Sequence, residues 1–325
     1  MNGICTLAND RVYDQLIALL NSIESVMGKT MPVCIYPFDD QCDRIRLAIR
    51  DRPSVTLYDD QDSIQRWDSF MQRIAPERLN QKNRLYGAHR RFCAFDGPFD
   101  RFVYMDADTL AMSPLDRVFQ MLDKFDWVVY DYQFLDPSKI YNVNSSSLYD
   151  VFSDERIRSE VFCSGFFAAK RGLFGAEQRE TLIAQLRAGD INILYEGAGE
   201  QPVLNYMVMR SGLKSCNLGS YLPSEESTGC SVTSKHFEER NHILYDRGTR
   251  LTYLHYIGVK PQLMEQVCLG ENVSFPYRNL FLYYRFLHQP QKCPVFMEPP
   301  SPDGKSYSPG FVKKVLKKLK LGQSK

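Results

Sequence analysis

The chain has 325 residues, 44% hydrophobic and 13% aromatic, enough to bury a substantial core in one large domain or two modest ones. Forty basic residues against 39 acidic ones leave a net charge of +1, which excludes a duplex nucleic-acid binder held by bulk positive charge. Nine cysteines without a Cys-X-X-Cys pair lack zinc spacing and cannot all be bridged within one chain, so a reducing, cytoplasmic compartment is expected.

Met1 to Ala8 passes at once into a strand-like run with no basic flank or long apolar stretch, so no secretion signal is expected. Ile4 to Leu7 reads as a strand and Asn9-Asp10 as a helix cap; Val12, Leu16, Leu19, Leu20 and Ile23 then recur at helical spacing. Val33 to Tyr36 and Val55 to Tyr58 are the next strands. A helix carrying Leu85, Phe92 and Phe95 leads through Asp96-Gly97-Pro98 into a strand ending at Asp106. Beyond it, Trp127 to Tyr130 and Phe166 to Ala169 are strand-like, Gln178 to Arg187 and Gln201 to Met209 helical, and Tyr141 to Ser147 a polar loop. Leu251 to Gly258 is a last strand ending in a histidine and a turn glycine. This alternation predicts an α/β domain with a largely parallel sheet, whose ligands bind beyond the carboxyl ends of its strands. No run reaches the ~20 apolar residues that span a bilayer.

Residues 1–288 are expected to form the folded domain, with one half to about 130 and a second half after it; 289–310 reads as a Pro-rich linker. The tail 311–325 sets Phe311, Val315, Leu316 and Leu319 on one stripe among lysines. Such a helix can lie on an anionic bilayer surface, at the inner face of the membrane, or stay solvated.

Arg101-Phe-Val-Tyr-Met-Asp106-Ala-Asp108 carries the chemistry: an apolar strand ending in two carboxylates spaced so that strand alternation sets both on one face, where they can share a hard cation. Asp also favours turns and helix caps, so this motif alone leaves both readings open.

Four segments in order resemble glycosyltransferase family 8, the retaining enzymes that use a nucleotide sugar and manganese on a GT-A fold. Thr6-Leu7-Ala8-Asn9-Asp10 with Tyr13 is similar to the family's first strand and nucleotide-binding turn. Asp106-Ala107-Asp108 is similar to its metal motif, preceded by Arg90 and Arg91, of which Arg90 stands nearer the family's basic position. Cys163-Ser164-Gly165 resembles an Asn-Ala/Ser-Gly segment, with Cys163 for Asn. Gly199-Glu200-Gln201-Pro202-Val203-Leu204-Asn205 resembles Gly-Asp-Gln-X-Leu-Leu-Asn, with Glu200 for Asp. His255-Tyr-Ile-Gly258-Val-Lys260-Pro261 resembles His-X-X-Gly-X-X-Lys-Pro-Trp, one residue short and with Gln262 for Trp.

The resemblance implies a Rossmann-like, mostly parallel mixed sheet flanked by helices. It also implies a metal site of Asp106, Asp108 and His255 for manganese or magnesium, and donor contacts from the first turn, Arg90, Ala107, Ser164, Gly165, Gly258 and Lys260. Glu200 and Gln201 are expected at the transferred hexose, moved from a uridine diphosphate sugar to a glycan, lipid or protein hydroxyl. The competing expectations are a sugar-phosphate nucleotidyltransferase, although the first turn has no glycine-rich phosphate loop, and a sugar-binding scaffold without turnover.

Overall fold

The computed structural model describes residues 1–74, 87–131, 136–196 and 199–299. The tail 311–325, the linker beyond 299 and Leu85 lie outside the described residues. The strands begin with β1 (Asn2–Ala8), β2 (Val33–Pro37), β3 (Val55–Leu57), β4 (Arg101–Met105) and β5 (Thr109–Ala111). They continue with β6 (Trp127–Val129), β7 (Phe166–Lys170), β8 (Ser215–Asn217), β9 (Glu238–Arg240), β10 (Ile243–Asp246), β11 (Thr249–Arg250) and β12 (Tyr253–His255). Seven strands form the central sheet in the order β3-β2-β1-β4-β7-β6-β8. Only β7 runs antiparallel to its neighbours, so the sheet is mixed and mostly parallel, with helices on both faces.

Alternation along the strands separates two cores. Cys5 and Leu7, Phe102 and Tyr104, and Phe167 and Ala169 point to one face. There they meet the helix Gln61–Ile74 through Trp67, Phe70 and Met71, and the helices Ala176–Ala188 and Glu200–Arg210. Ile4, Val103, Met105, Phe166 and Ala168 point to the other face, against the helix Tyr13–Met27 through Leu16, Leu19, Leu20 and Ile23. On the first face Tyr104, Phe167 and Trp127 stack in a column, with ring centroids 4.9 and 4.5 Å apart and planes within 16°. Such aromatic pairs add about 0.5–1.5 kcal/mol each beyond the area they bury.

A third core gathers the helices Pro261–Cys268 and Arg278–Arg285 around Leu254 and Tyr256. Docked on this annex, β12 pairs antiparallel with β5 so that His255 stands opposite Thr109. Part of the expected linker is also docked: Phe296 lies 4.7 Å from the Arg278 guanidinium, and Asn272 Nδ2 donates to Glu298 O at 2.9 Å. The polar loop expected over 141–147 gives way to a helix at Ser146–Val151. Among the described residues no helix is long and apolar enough to cross a membrane.

Candidate active site

β4 ends at Met105, one residue before the first carboxylate. Asp106 to Thr109 is a tight turn, closed by the Thr109 N–H donating to Asp106 O at 3.0 Å and the Thr109 hydroxyl to the same oxygen at 2.7 Å. The two aspartates converge through this turn and not through strand alternation, a correction to the sequence reading. Tyr256 N–H donates to Asp108 O at 2.9 Å, and His255 N–H bonds Cys230 O, so the histidine is fixed from both sides. One ligand atom each from Asp106, Asp108 and His255 all lie within 4.8 Å of one another.

Charge in this cluster is divided by its neighbours. Burial, assisted by the Asp108 charge, pushes the Asp106 carboxyl up against the pull of Arg91. Burial also works to raise Asp108, but His255, 3.3 Å away through Nε2, outweighs it and holds Asp108 below the usual carboxylate range. For His255 burial alone would favour the neutral ring; attraction to Asp108 overrides it and leaves the imidazole well above its ordinary value. Asp108 and His255 thus favour each other's charged forms.

Arg91, not Arg90, faces the carboxylates. The segment Ala88–Phe95 is a 3₁₀ helix, in which residues three apart share a face. His89, Phe92 and Phe95 form one row into the core, while Ala88 and Arg91 line the cleft above Asp106. Arg91 is buried, 3.3 Å from Asp106 and 3.1 Å from Glu200, and donates to both the carbonyl and the hydroxyl of Ser164. Burial opposes its charge, and Asp106, Tyr104 and Glu200 restore it. Arg90 instead forks onto Asp68, with Nε and Nη2 at 3.1 and 2.9 Å. His89 and Arg90 outweigh the burial of Asp68 and draw its carboxyl down to about 2.

The segment at 162–165 is laced to the helix Glu200–Arg210. Gln201 and Asn205 are one turn apart on one helix face, about 6 Å along the axis, which matches the rise between residues 162 and 164 of an extended chain. The Asn205 amide pairs with both the N–H and the carbonyl of Phe162, at 2.9 and 3.0 Å. Gln201 Oε1 accepts from the N–H and hydroxyl of Ser164 at 2.9 and 3.2 Å, so its NH2 is the group left to meet a substrate. Gly165 packs where a Cβ would lie 2.5 Å from His255 Cε1 and 3.0 Å from Asp106 Oδ2. Sequence reading missed two further partners: Asp131, whose Oδ2 accepts from Cys163 N–H at 2.8 Å, and Tyr104, whose hydroxyl donates to Asp106 at 2.8 Å. Tyr104 stands two residues before Asp106, a spacing that could have pointed to it.

A cleft of about 730 Å³ runs from Asp106, Ala107 and Asp108 past Leu7, Ala8, Asn9 and Asp10 to Phe38 and Gln41. Thr6 is fully buried within β1. Asn9 and Asp10 border the cleft with their side chains already engaged: Asn9 Nδ2 donates to Asp39, and Asp10 caps the helix Asp43–Ala48 by accepting from Arg44 and Ile45 N–H. Tyr13 lies outside the cleft, with the guanidinium groups of Arg44 and Arg285 4.1 and 5.4 Å from the centre of its ring. Gly258, at φ +81°, turns the chain toward Lys260, which is exposed at the start of the helix Pro261–Cys268 beside the cleft-lining Pro261 and Gln262.

No protein-family model matches the chain, and no curated protein matches it in sequence. Its fold is similar to solved glycosyltransferases. Galactosyltransferase LgtC, in complex with donor and acceptor sugar analogs, aligns at a TM-score of 0.52 and 12% identity over 80% of this chain and 88% of that one. The bifunctional glycosyltransferase WbbM, in its apo form, aligns at 0.50 and 13% over 90% of this chain, which spans 51% of that protein. The seven-stranded sheet and its flanking helices are the GT-A arrangement these proteins share.

Proposed function

We propose that the chain is a metal-dependent glycosyltransferase that moves a hexose from a nucleotide diphosphate sugar to an acceptor hydroxyl with retention, a uridine diphosphate sugar being the leading donor. The observation that carries this reading is the meeting of His255 with Asp106 and Asp108, the two aspartates lining the cleft. The donor set fits manganese: two carboxylates and one imidazole suit it, whereas magnesium prefers oxygen ligands throughout. Manganese held there would neutralise charge on the departing diphosphate.

The chain's own residues divide the remaining work. His255 must lose its proton before it can ligate. Arg91 remains cationic and fixes Asp106, Glu200 and Ser164 relative to one another. The Glu200 carboxylate stabilises positive charge developing at the anomeric carbon, and Gln201, its oxygen tied to Ser164, offers N–H to a substrate oxygen. Lys260 supplies positive charge toward the departing phosphate. The acceptor hydroxyl attacks on the face from which the diphosphate leaves, and the diphosphate oxygen takes its proton, so no protein base is required. The lysine-rich tail 311–321 supports a resting place on an anionic membrane surface, near a glycan, lipid or protein acceptor.

A panel of nucleotide sugars assayed with manganese for release of free sugar and nucleotide tests this reading. Release from one donor, lost in Asp108→Ala with the fold retained, is expected. Release from none, or turnover only with a nucleoside triphosphate and a sugar phosphate, contradicts it. Removing residues 311–325 should lower binding to anionic vesicles and leave soluble-donor hydrolysis unchanged.

A further inference from the structure

The base-binding end of the cleft is built differently from what the first turn leads one to expect. Tyr13 is half-buried outside the cleft, with the Arg44 and Arg285 guanidinium groups 4.1 and 5.4 Å from its ring. The backbone N–H groups after β1 are also taken: Asp10 N–H by Gln41 O at 2.7 Å, Arg11 N–H by Asn9 Oδ1 at 3.1 Å, and Val12 N–H by Asn9 O at 3.1 Å. That turn presents no ring and none of these three amides to a base.

Among the described residues lining the cleft, Phe38 is the one aromatic ring, half-buried just past the carboxyl end of β2. Its backbone is pinned: its N–H donates to Ala8 O at 2.9 Å. Gly87, at φ +108°, approaches so closely that a Cβ there would lie 1.9 Å from Phe38 O. Gln41 lines the same end. Its main chain is fixed through Asp39 and Asp10 while its side chain is exposed. The strand order β2-β1-β4 sets Phe38 two strand spacings, about 10 Å, from the Asp106 turn, a gap that a ribose and its 5′-phosphate can bridge between base and diphosphate.

We infer that the donor's nucleobase stacks on Phe38, in the place the sequence gives to Tyr13, and that the Gln41 amide hydrogen-bonds its edge. This rests on the nucleotide-sugar reading above. A ring face accepts any base, so Phe38 sets the preference for a nucleoside diphosphate over bare diphosphate. An amide carries both a donor and an acceptor, so Gln41 sets which base is preferred.

Uridine diphosphate, guanosine diphosphate and inorganic pyrophosphate, each titrated with saturating manganese, test the assignment in the wild type, Phe38→Ala, Phe38→Leu, Phe38→Tyr, Gln41→Ala and Tyr13→Leu. The Ala and Leu variants at Phe38 should weaken the preferred nucleotide by roughly 5- to 150-fold, the size of one lost stack, with pyrophosphate affinity held. The Tyr variant should retain binding, Gln41→Ala should narrow the gap between the two nucleotides, and Tyr13→Leu should leave the nucleotide-to-pyrophosphate ratio unchanged. Equal loss of nucleotide and pyrophosphate at Phe38, no loss there, or collapse of the ratio in Tyr13→Leu overturns the inference. A wild type that binds pyrophosphate but does not prefer any nucleotide overturns the inference alone. One that binds no probe overturns the donor reading as well.

Discussion

Asp106 and Gly165 meet where β4 ends and β7 begins: the Asp106 N–H donates to Gly165 O at 2.9 Å, and a Cβ at Gly165 would stand 3.0 Å from Asp106 Oδ2. The glycine is needed for space, because the same Cβ would lie 2.5 Å from His255 Cε1. Gly165→Ala should therefore displace the imidazole and lower manganese affinity by about tenfold or more, roughly 1.4 kcal/mol, while far-UV circular dichroism stays unchanged. Wild-type affinity in this variant would show that the ring moves freely and is not a fixed ligand.

Arg91 is enclosed with two carboxylates, and removing it strands both. Arg91→Met should cost about 3–5 kcal/mol in urea denaturation at neutral pH, the usual penalty for an uncompensated buried charge. Arg91→Met with Glu200→Gln should recover part of that loss, because the glutamate charge is removed with its partner. Strictly additive losses would mean that the pair is not coupled.

Metal affinity should depend on pH through His255. Against the burial that would lower it, Asp108 raises its pKa above the ordinary imidazole value, so a proton is held more tightly on the ring and must leave before the ring can ligate. Affinity should then rise with pH up to that raised pKa, by about tenfold per unit for one proton released. Calorimetry in buffers of different ionisation enthalpy should report net proton release on manganese binding near neutral pH. Binding without proton release contradicts the pairing of His255 with Asp108.

Gln201→Glu separates anchoring from substrate contact. A carboxylate can still accept from Ser164, so denaturation should match the wild type, but the outward N–H donors disappear and donor hydrolysis should fall. Gln201→Leu should instead lower stability by about 1–3 kcal/mol by leaving the Ser164 N–H unpaired.

The sheet was legible because it rests on local pattern, the apolar runs of β1 and β4; the grouping of Asp106, Asp108 and His255 was legible only through the order of segments that carries the family resemblance. The choice between Arg90 and Arg91 depended on helix type. The 3₁₀ geometry of Ala88–Phe95 sets Arg91 beside Ala88, and sequence spacing does not announce that geometry. Asn9, Asp10 and Tyr13 look like binding groups in isolation. Their occupation by Asp39, Arg44 and Arg285 comes from partners distant in sequence, which no local pattern encodes. The tie of Asn205 to Phe162 is likewise visible only once the helix and the extended segment lie side by side.

Pulsed electron paramagnetic resonance of bound manganese tests the central claim most directly, because it detects which nuclei surround the ion. The account predicts one imidazole nitrogen coupling that disappears in His255→Ala, together with a phosphorus coupling when uridine diphosphate is added. Manganese that binds with no nitrogen coupling, or whose spectrum is unchanged in His255→Ala and Asp108→Ala, would contradict it.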